Sequence, residues 1–362
     1  MKSIRFFSLC AVALGFSAAH AQTIDGQRDA GYTDVAVQNT ETGFGDSNLG
    51  LIDKANGSEL DRFSYVRTAT DLYIFIGGNL ENGPSVYQKV GIFFDSVPGG
   101  YNRLPQDLPD IDFNRFIRFG DDGSGNGLTF DSGFEADHFI GFVNGGDPVG
   151  VFVNYAQVET IGNGGVAYYM GSTFPGSNGF LDGGNNPNGV EGTIDNSNTA
   201  GVPGGIGFDP GNGATVTTGI ELKIPLAQLG NPTGPIKICV FVHSDGFDFL
   251  SNQVLKGIGG GDNLADPRFV NFSSIAGDQY VVIPPPAAPE TVAPDALTLQ
   301  RGQIISGTIA NLAADDNVAL RLKKFFVANP VEPFVWGTLQ GTTSILSPSS
   351  VTFRVKSRMV TG

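Results

Sequence analysis

The chain has 362 residues, a formal net charge of −15 and 52 glycines, about twice the usual glycine fraction. Its 21 Lys and Arg against 36 Asp and Glu argue against nucleic acid and anionic membranes as partners. Gly, Asn, Thr, Val and Phe dominate where a helical protein would use Ala, Leu, Glu and Lys, so strands and turns are expected.

The chain opens MKSIRFFSLCAVALGFSAAHAQ. Lys2 and Arg5 precede an apolar run from Phe6 to Phe16, and Ala19-His20-Ala21 fits a small-x-small cleavage site. Residues 1–21 therefore read as a secretory signal peptide, which predicts a secreted or cell-surface protein. Its removal takes away two positive charges and leaves Cys239 as the one cysteine. An exported chain without an internal disulfide must rest on a real hydrophobic core. No later stretch approaches the roughly 20 apolar residues of a spanning helix, so no transmembrane segment is expected.

Asn-Gly pairs, a strong hairpin signal, recur along the chain from Asn56 to Asn212. Between them lie short apolar or alternating runs. They begin at Asp71 (DLYIFIGG), Lys89 (KVGIFFD), Phe116 (FIRF), His138 (HFIGFV), Val149 (VGVFVNYAQV), Val166 (VAYYMG), Gly219 (GIELKIPL) and Ile236 (IKICVFV). Residues 22–283 are thus predicted to form an all-β, antiparallel, jelly-roll-like sandwich. Helical periodicity is weak, save for one short turn near Ser58 to Arg62. Two long Gly-rich loops, Phe119 to Asp131 and Gly176 to Asn212, interrupt the pattern; loops of this length are commonly functional.

The segment PPPAAPETVAP, residues 284–294, reads as a stiff extended linker. Residues 295–362 again look β, with runs at Ala296, Asn317, Val335 and Ser350. They are few for a free-standing sandwich, so this second, smaller domain reads as incomplete, either cut short or completed by a partner.

The opening TIDGQRDAGYTDVAVQ, the strands LYIFIGGNLE and VGIFFDSVPGG, the segment FEADHFIGF and the late GIELKIPLAQLG with IKICVFV carry a family resemblance. Over residues 22–283 the chain resembles secreted bacterial β-sandwiches akin to the family 9 carbohydrate-binding modules and the DOMON-type domains. The resemblance implies a non-catalytic module, an extracellular glycan as partner, and a structural Ca²⁺. Family 9 modules clamp a sugar between aromatic rings, often tryptophans. The one Trp here, Trp336, lies beyond the linker, so no clamp residue carries over.

The residues themselves offer two candidate sites. In KVGIFFDSVPGGYNR, Asp95 ends an apolar run and a Pro98-Gly99-Gly100 turn follows. Asp95 reads as a cap on that turn or as a ligand to a sugar or Ca²⁺. Tyr101, Asn102 and Arg103 then form the candidate ligand-binding group at the rim: a ring face and hydrogen-bond donors. Asp121, Asp122, Asn126 and Asp131 gather oxygen ligands in one loop and form the candidate Ca²⁺ site, although the spacing is not that of an Asp-x-Asp-x-Asp-Gly loop.

Other motifs carry less. His243 and Asp245, two apart, would share a strand face as half a metal site. Gly45-Asp46-Ser47 lacks both the apolar strand and the downstream Asp-x-x-His of a hydrolase serine block. With no catalytic constellation, the reading is not an enzyme but an exported binding module for polysaccharide. The alternative is a structural or adhesive surface protein with no small ligand.

Overall fold

The computed structural model describes residues 22–40, 42, 44, 57–83, 86–160, 165–197 and 212–286, together with strand residues 304–310, 340–347 and 350–356. Gly45-Asp46-Ser47, residues 287–294 of the predicted linker and the runs predicted at Ala296, Asn317 and Val335 lie outside them. Two compact units divide the chain, with the boundary between Pro286 and Ala287.

The first unit is an antiparallel β-sandwich. Its strands in chain order are β1 (Thr33–Val37), β2 (Glu59–Arg67), β3 (Asp71–Asn79), β4 (Asn82–Gly83), β5 (Val86–Asp95), β6 (His138–Gly145) and β7 (Gly150–Gln157). There follow β8 (Ala167–Thr173), β9 (Asp182–Gly183), β10 (Glu191–Ile194), β11 (Gly219–Pro225), β12 (Ile236–His243), β13 (Leu250–Leu255) and β14 (Val281–Ile283). One sheet has five strands in the order β1-β2-β3-β11-β10. The other has nine: β13-β12-β5-β6-β7-β8-β9, with β14 also on β12 and β4 on β5.

Alternation along the strands fills the space between the sheets. Ile74 and Ile76 of β3 and Ile220 and Leu222 of β11 meet Ile92 and Phe94 of β5, Ile140 and Phe142 of β6, and Val240 and Val242 of β12. Strands β5, β6 and β12 are apolar on their other side too, which is why they read as continuous runs. Phe93, Phe139, Cys239 and Phe241 face outward from the nine-stranded sheet and would meet water if nothing covered them. A cap of mostly irregular chain covers them, with Leu104, Phe116, Phe119, Leu128, Phe130, Phe134, Phe247 and Phe272. Phe93 is its hub, with ring centroids of Phe139, Phe130 and Phe241 at 4.8, 5.0 and 5.8 Å.

The cap satisfies its own backbone by isolated bridges rather than by strands. Leu104 N donates to Leu128 O at 3.0 Å, Thr129 N to Val270 O at 3.0 Å, and Phe130 N to Asn102 O at 2.8 Å. The loop Phe119 to Asp131 therefore belongs to a third layer. The run FIRF, predicted as a strand, is a 3-10 turn at Phe116–Phe119, with Phe116 and Phe119 turned into the cap. The turn predicted near Ser58 to Arg62 is instead the start of β2, because its backbone pairs with β3. The long loop from Gly176 contains two short strands, β9 and β10, within its described part.

In the second unit, β15 (Ile304–Ala310), β16 (Gln340–Ser347) and β17 (Ser350–Lys356) form a three-stranded antiparallel sheet in the order β15-β17-β16. The run predicted at Ser350 is β17.

Candidate functional site

The rim is built from the end of β5 outward. Asp95 lies opposite Lys237 in the β5–β12 ladder, and their side chains pair at 2.8 Å. Asp95 also accepts from the backbone N of Glu135 at 3.1 Å. The turn cap expected of Asp95 comes from Asp137, whose Oδ2 accepts from Ser96 N at 2.6 Å and Val97 N at 2.9 Å. Burial lifts the Asp137 carboxyl to about 6, and the two amides pull it back toward its ordinary value. Gly100 has φ +89°, and a Cβ there would meet Glu135 O at 2.6 Å and Asp137 Oδ1 at 2.7 Å, so the turn requires glycine.

Past that glycine the chain is extended and tied down. Tyr101 exchanges two backbone hydrogen bonds with Ala136, at 3.1 and 3.0 Å, and Arg103 bridges Thr129. In extended chain, neighbours point to opposite sides. Tyr101 and Arg103 accordingly face solvent, while Asn102 turns inward. The Asn102 amide donates to the carbonyls of Asp131 at 2.8 Å, Phe134 at 2.9 Å and Phe130 at 3.2 Å. Of the three predicted ligand-binding residues, two are exposed together and the third holds the loop beneath them. One guanidinium nitrogen of Arg103 donates to Gly125 O.

The predicted Ca²⁺ ligands do local work. Asp121 accepts from Gly123 N at 2.7 Å and Gly125 N at 3.0 Å. Asp122 accepts from Ser124 N at 3.0 Å, and Asn126 donates to Ser124 Oγ at 2.7 Å. These are side-chain caps on a Gly-rich turn. Asp131 is buried, and its carboxylate accepts from Gln279 N at 2.6 Å. Among the described residues, no three of His, Cys, Asp and Glu are gathered where they could hold a metal ion.

The two histidines among the described residues, His138 and His243, are buried. His138 Nδ1 lies 2.8 Å from the hydroxyl of Tyr155, and burial lowers its pKa to about 4. His243 lies among Phe119, Phe241 and Phe247, where burial first and Lys89 second lower it to about 3. His243 ends β12, and Asp245, expected on the same face, pairs instead with Lys89 at 3.0 Å and Arg115 at 2.7 Å.

Sequence reading missed a second exposed feature of the cap. Asp112, Phe113 and Asn114 all have left-handed backbone, with φ of 52, 58 and 59°. Asp112 is held there by the ammonium of buried Lys89. Phe113 is thrown outward, 90% exposed, with the Arg115 guanidinium 5.7 Å from its ring. Phe269 is exposed on the same cap. Left-handed backbone at three consecutive residues other than glycine has no motif in DFN, so no sequence signal would have found it.

The fold and this surface define a β-sandwich with a phenylalanine-rich cap that shows aromatic rings beside arginines. The chain matches no protein-family model, no curated protein and no solved structure.

Proposed function

We propose that this protein is an exported, non-catalytic binding module for extracellular polysaccharide. The observation that carries the reading is the pairing of Tyr101 and Arg103 on one exposed face of a strip fixed by backbone bridges. A ring offers its face to a sugar, and a guanidinium offers donors to hydroxyl or carboxylate oxygens. Loops on a rigid scaffold are the usual place for such residues. Phe113 with Arg115 extends the same chemistry over the cap. The signal-peptide reading of residues 1–21 supports export, and no helix among the described residues is long and apolar enough to cross a membrane. The resemblance to family 9 carbohydrate-binding modules and DOMON-type domains supports the substrate class.

A glycan array and affinity electrophoresis on the mature chain test it. Retention by at least one neutral or acidic polysaccharide is expected. Tyr101→Ala should weaken that retention by up to about tenfold, the worth of one aromatic contact, without lowering the melting temperature. Wild-type retention by the Tyr101 variant would move the site elsewhere. Failure to retain any polysaccharide would favour the structural or adhesive alternative.

A further inference from the structure

Val151, Val153 and Tyr155 of β7 face the core, as do Ile140 and Phe142 of β6 and Met170 of β8. Alternation therefore turns Gly141, Val143, Gly150, Phe152, Asn154 and Tyr169 to the outer side of the nine-stranded sheet. Register sets them side by side, and directly opposite residues share a face. Gly141, Asn154 and Tyr169 form one row across β6, β7 and β8. Lys89, Val143, Phe152 and Ser172 form the next, and Tyr87, Gly145 and Gly150 the one after. The cap reaches the middle row at its β5 end, where Asp112 pairs with Lys89.

Glycine keeps this face low. A Cβ at Gly150 would meet the Phe152 ring at 3.1 Å, and one at Gly146 would meet the Tyr87 hydroxyl at 3.3 Å, so both rings lean over glycine. Glycine inside a strand commonly marks a place where a ligand approaches closely. Tyr87 and Tyr169 are 37% and 38% exposed. Beside Tyr169, Asn154 is only 7% exposed, and its side-chain amide has no hydrogen-bond partner among the described residues. That amide rises from the same face: a Cβ at Gly141 would meet Asn154 Cβ at 3.8 Å. Buried polar groups are normally paired, so an unpaired amide beside exposed rings points to a ligand.

We propose that this shelf of Tyr87, Phe152, Asn154 and Tyr169 is a second carbohydrate-binding surface, which takes a neutral polysaccharide lying across β6, β7 and β8. The proposal rests on the polysaccharide reading above and adds to it a place and a class of sugar. Ring faces suit the C–H side of a sugar ring. An amide has both a donor and an acceptor, and a sugar hydroxyl answers both. The outward positions of β6, β7 and β8 carry no charge. The adjoining cation, Lys89, is buried and paired with Asp112 and Asp245. An acidic polysaccharide would therefore find no counter-charge here, on a chain whose net charge is already −15.

The test is affinity electrophoresis of the full mature chain in gels containing hydroxyethyl cellulose, glucomannan or laminarin as neutral probes and alginate as the acidic one. Retardation by at least one neutral probe is expected. Tyr169→Ala should weaken it by up to about tenfold, the worth of one aromatic contact. Asn154→Ala should weaken it by about three- to tenfold, the worth of one hydrogen bond. Wild-type retardation of both variants, or retardation of the wild type by alginate alone, would overturn the shelf while leaving the polysaccharide reading standing. Retardation by none of the four would overturn the shelf, and failure on the glycan array as well would overturn the polysaccharide reading with it. Should either variant not fold, hydroxyl-radical footprinting of the wild type decides: the bound neutral probe should protect Phe152 and Tyr169, and unchanged labelling of both would overturn the proposal.

Discussion

The hydroxyl of Tyr32 donates to the carboxylate of Glu221 at 2.6 Å, tying the first turn of the sandwich to strand β11. The other carboxylate oxygen accepts from Asp25 N at 2.9 Å and Gly26 N at 3.0 Å. One buried side chain therefore fixes the whole TIDG opening against the outer face of the five-stranded sheet. Glu221→Ala would strand buried donors, and a loss of roughly 3 kcal/mol in denaturant unfolding is expected.

Burial raises the Glu221 carboxyl to about 7 in the folded protein, against 4.5 ordinarily. The folded state thus holds a proton that the unfolded chain releases. This contribution is fully present below pH 4.5 and is lost as pH rises through 7. Relative to Glu221→Gln, wild-type stability should fall by about 1.4 kcal/mol per pH unit within that window. Parallel pH profiles for the two proteins would show that Glu221 is ionised throughout.

Asp95 and Asp137 differ in consequence although both sit at the end of β5. Asp95 makes a half-exposed ion pair with Lys237, so Asp95→Ala should cost about 1 kcal/mol. Asp137 caps two buried amides, so Asp137→Ala should cost roughly 2–3 kcal/mol and loosen the turn beneath Tyr101. Chemical denaturation of both variants checks the order. A larger loss in Asp95→Ala would reverse the assignment of the cap.

The two imidazoles are buried neutral, with pKa values lowered to about 4 for His138 and about 3 for His243. The unfolded chain protonates them near pH 6.5. Each therefore contributes stability that is full above that pH and is lost as pH falls toward the folded value, at about 1.4 kcal/mol per pH unit. In an NMR titration neither ring should change charge between pH 8 and 5. A midpoint near 6.5 for either would show that its site admits water.

The phenylalanine cap should behave as a core. Phe93 is fully buried and touches five other phenylalanine rings. Phe93→Ala should cost roughly 3–5 kcal/mol, as in any well-packed interior. It should also expose the Tyr101 strip to proteolysis before the sandwich itself unfolds. A cost below about 1 kcal/mol would mean that the cap is not packed on the sheet.

Much of the scaffold was legible in the residues. Period-two alternation and Gly-rich turns located β3, β5, β6, β7, β8, β11 and β12, because a strand between two apolar layers leaves a continuous or alternating signature. Strand β2 was not legible. ELDRFSYVR carries charges at Glu59, Asp61, Arg62 and Arg67, which are buried here by ladder pairing and by partners far along the chain. The same is true of the cap. FIRF resembles a strand in composition, and only the exposed apolar face of β5, β6 and β12 explains why it becomes a turn that delivers Phe116 and Phe119.

By itself the sequence determined an all-β sandwich, a candidate rim after Asp95, and Tyr101 and Arg103 as its outward residues. Those follow from local rules: alternation, turn chemistry and the glycine that the turn demands. Only the tertiary structure decided that Asn102 turns inward, that Asp137 rather than Asp95 caps the turn, and that Asp131 serves Gln279 rather than its own loop. The physical reason is that hydrogen-bond partners and burial are set by chain segments tens to hundreds of residues apart, such as Tyr32 and Glu221, and local sequence carries no record of which distant donor arrives.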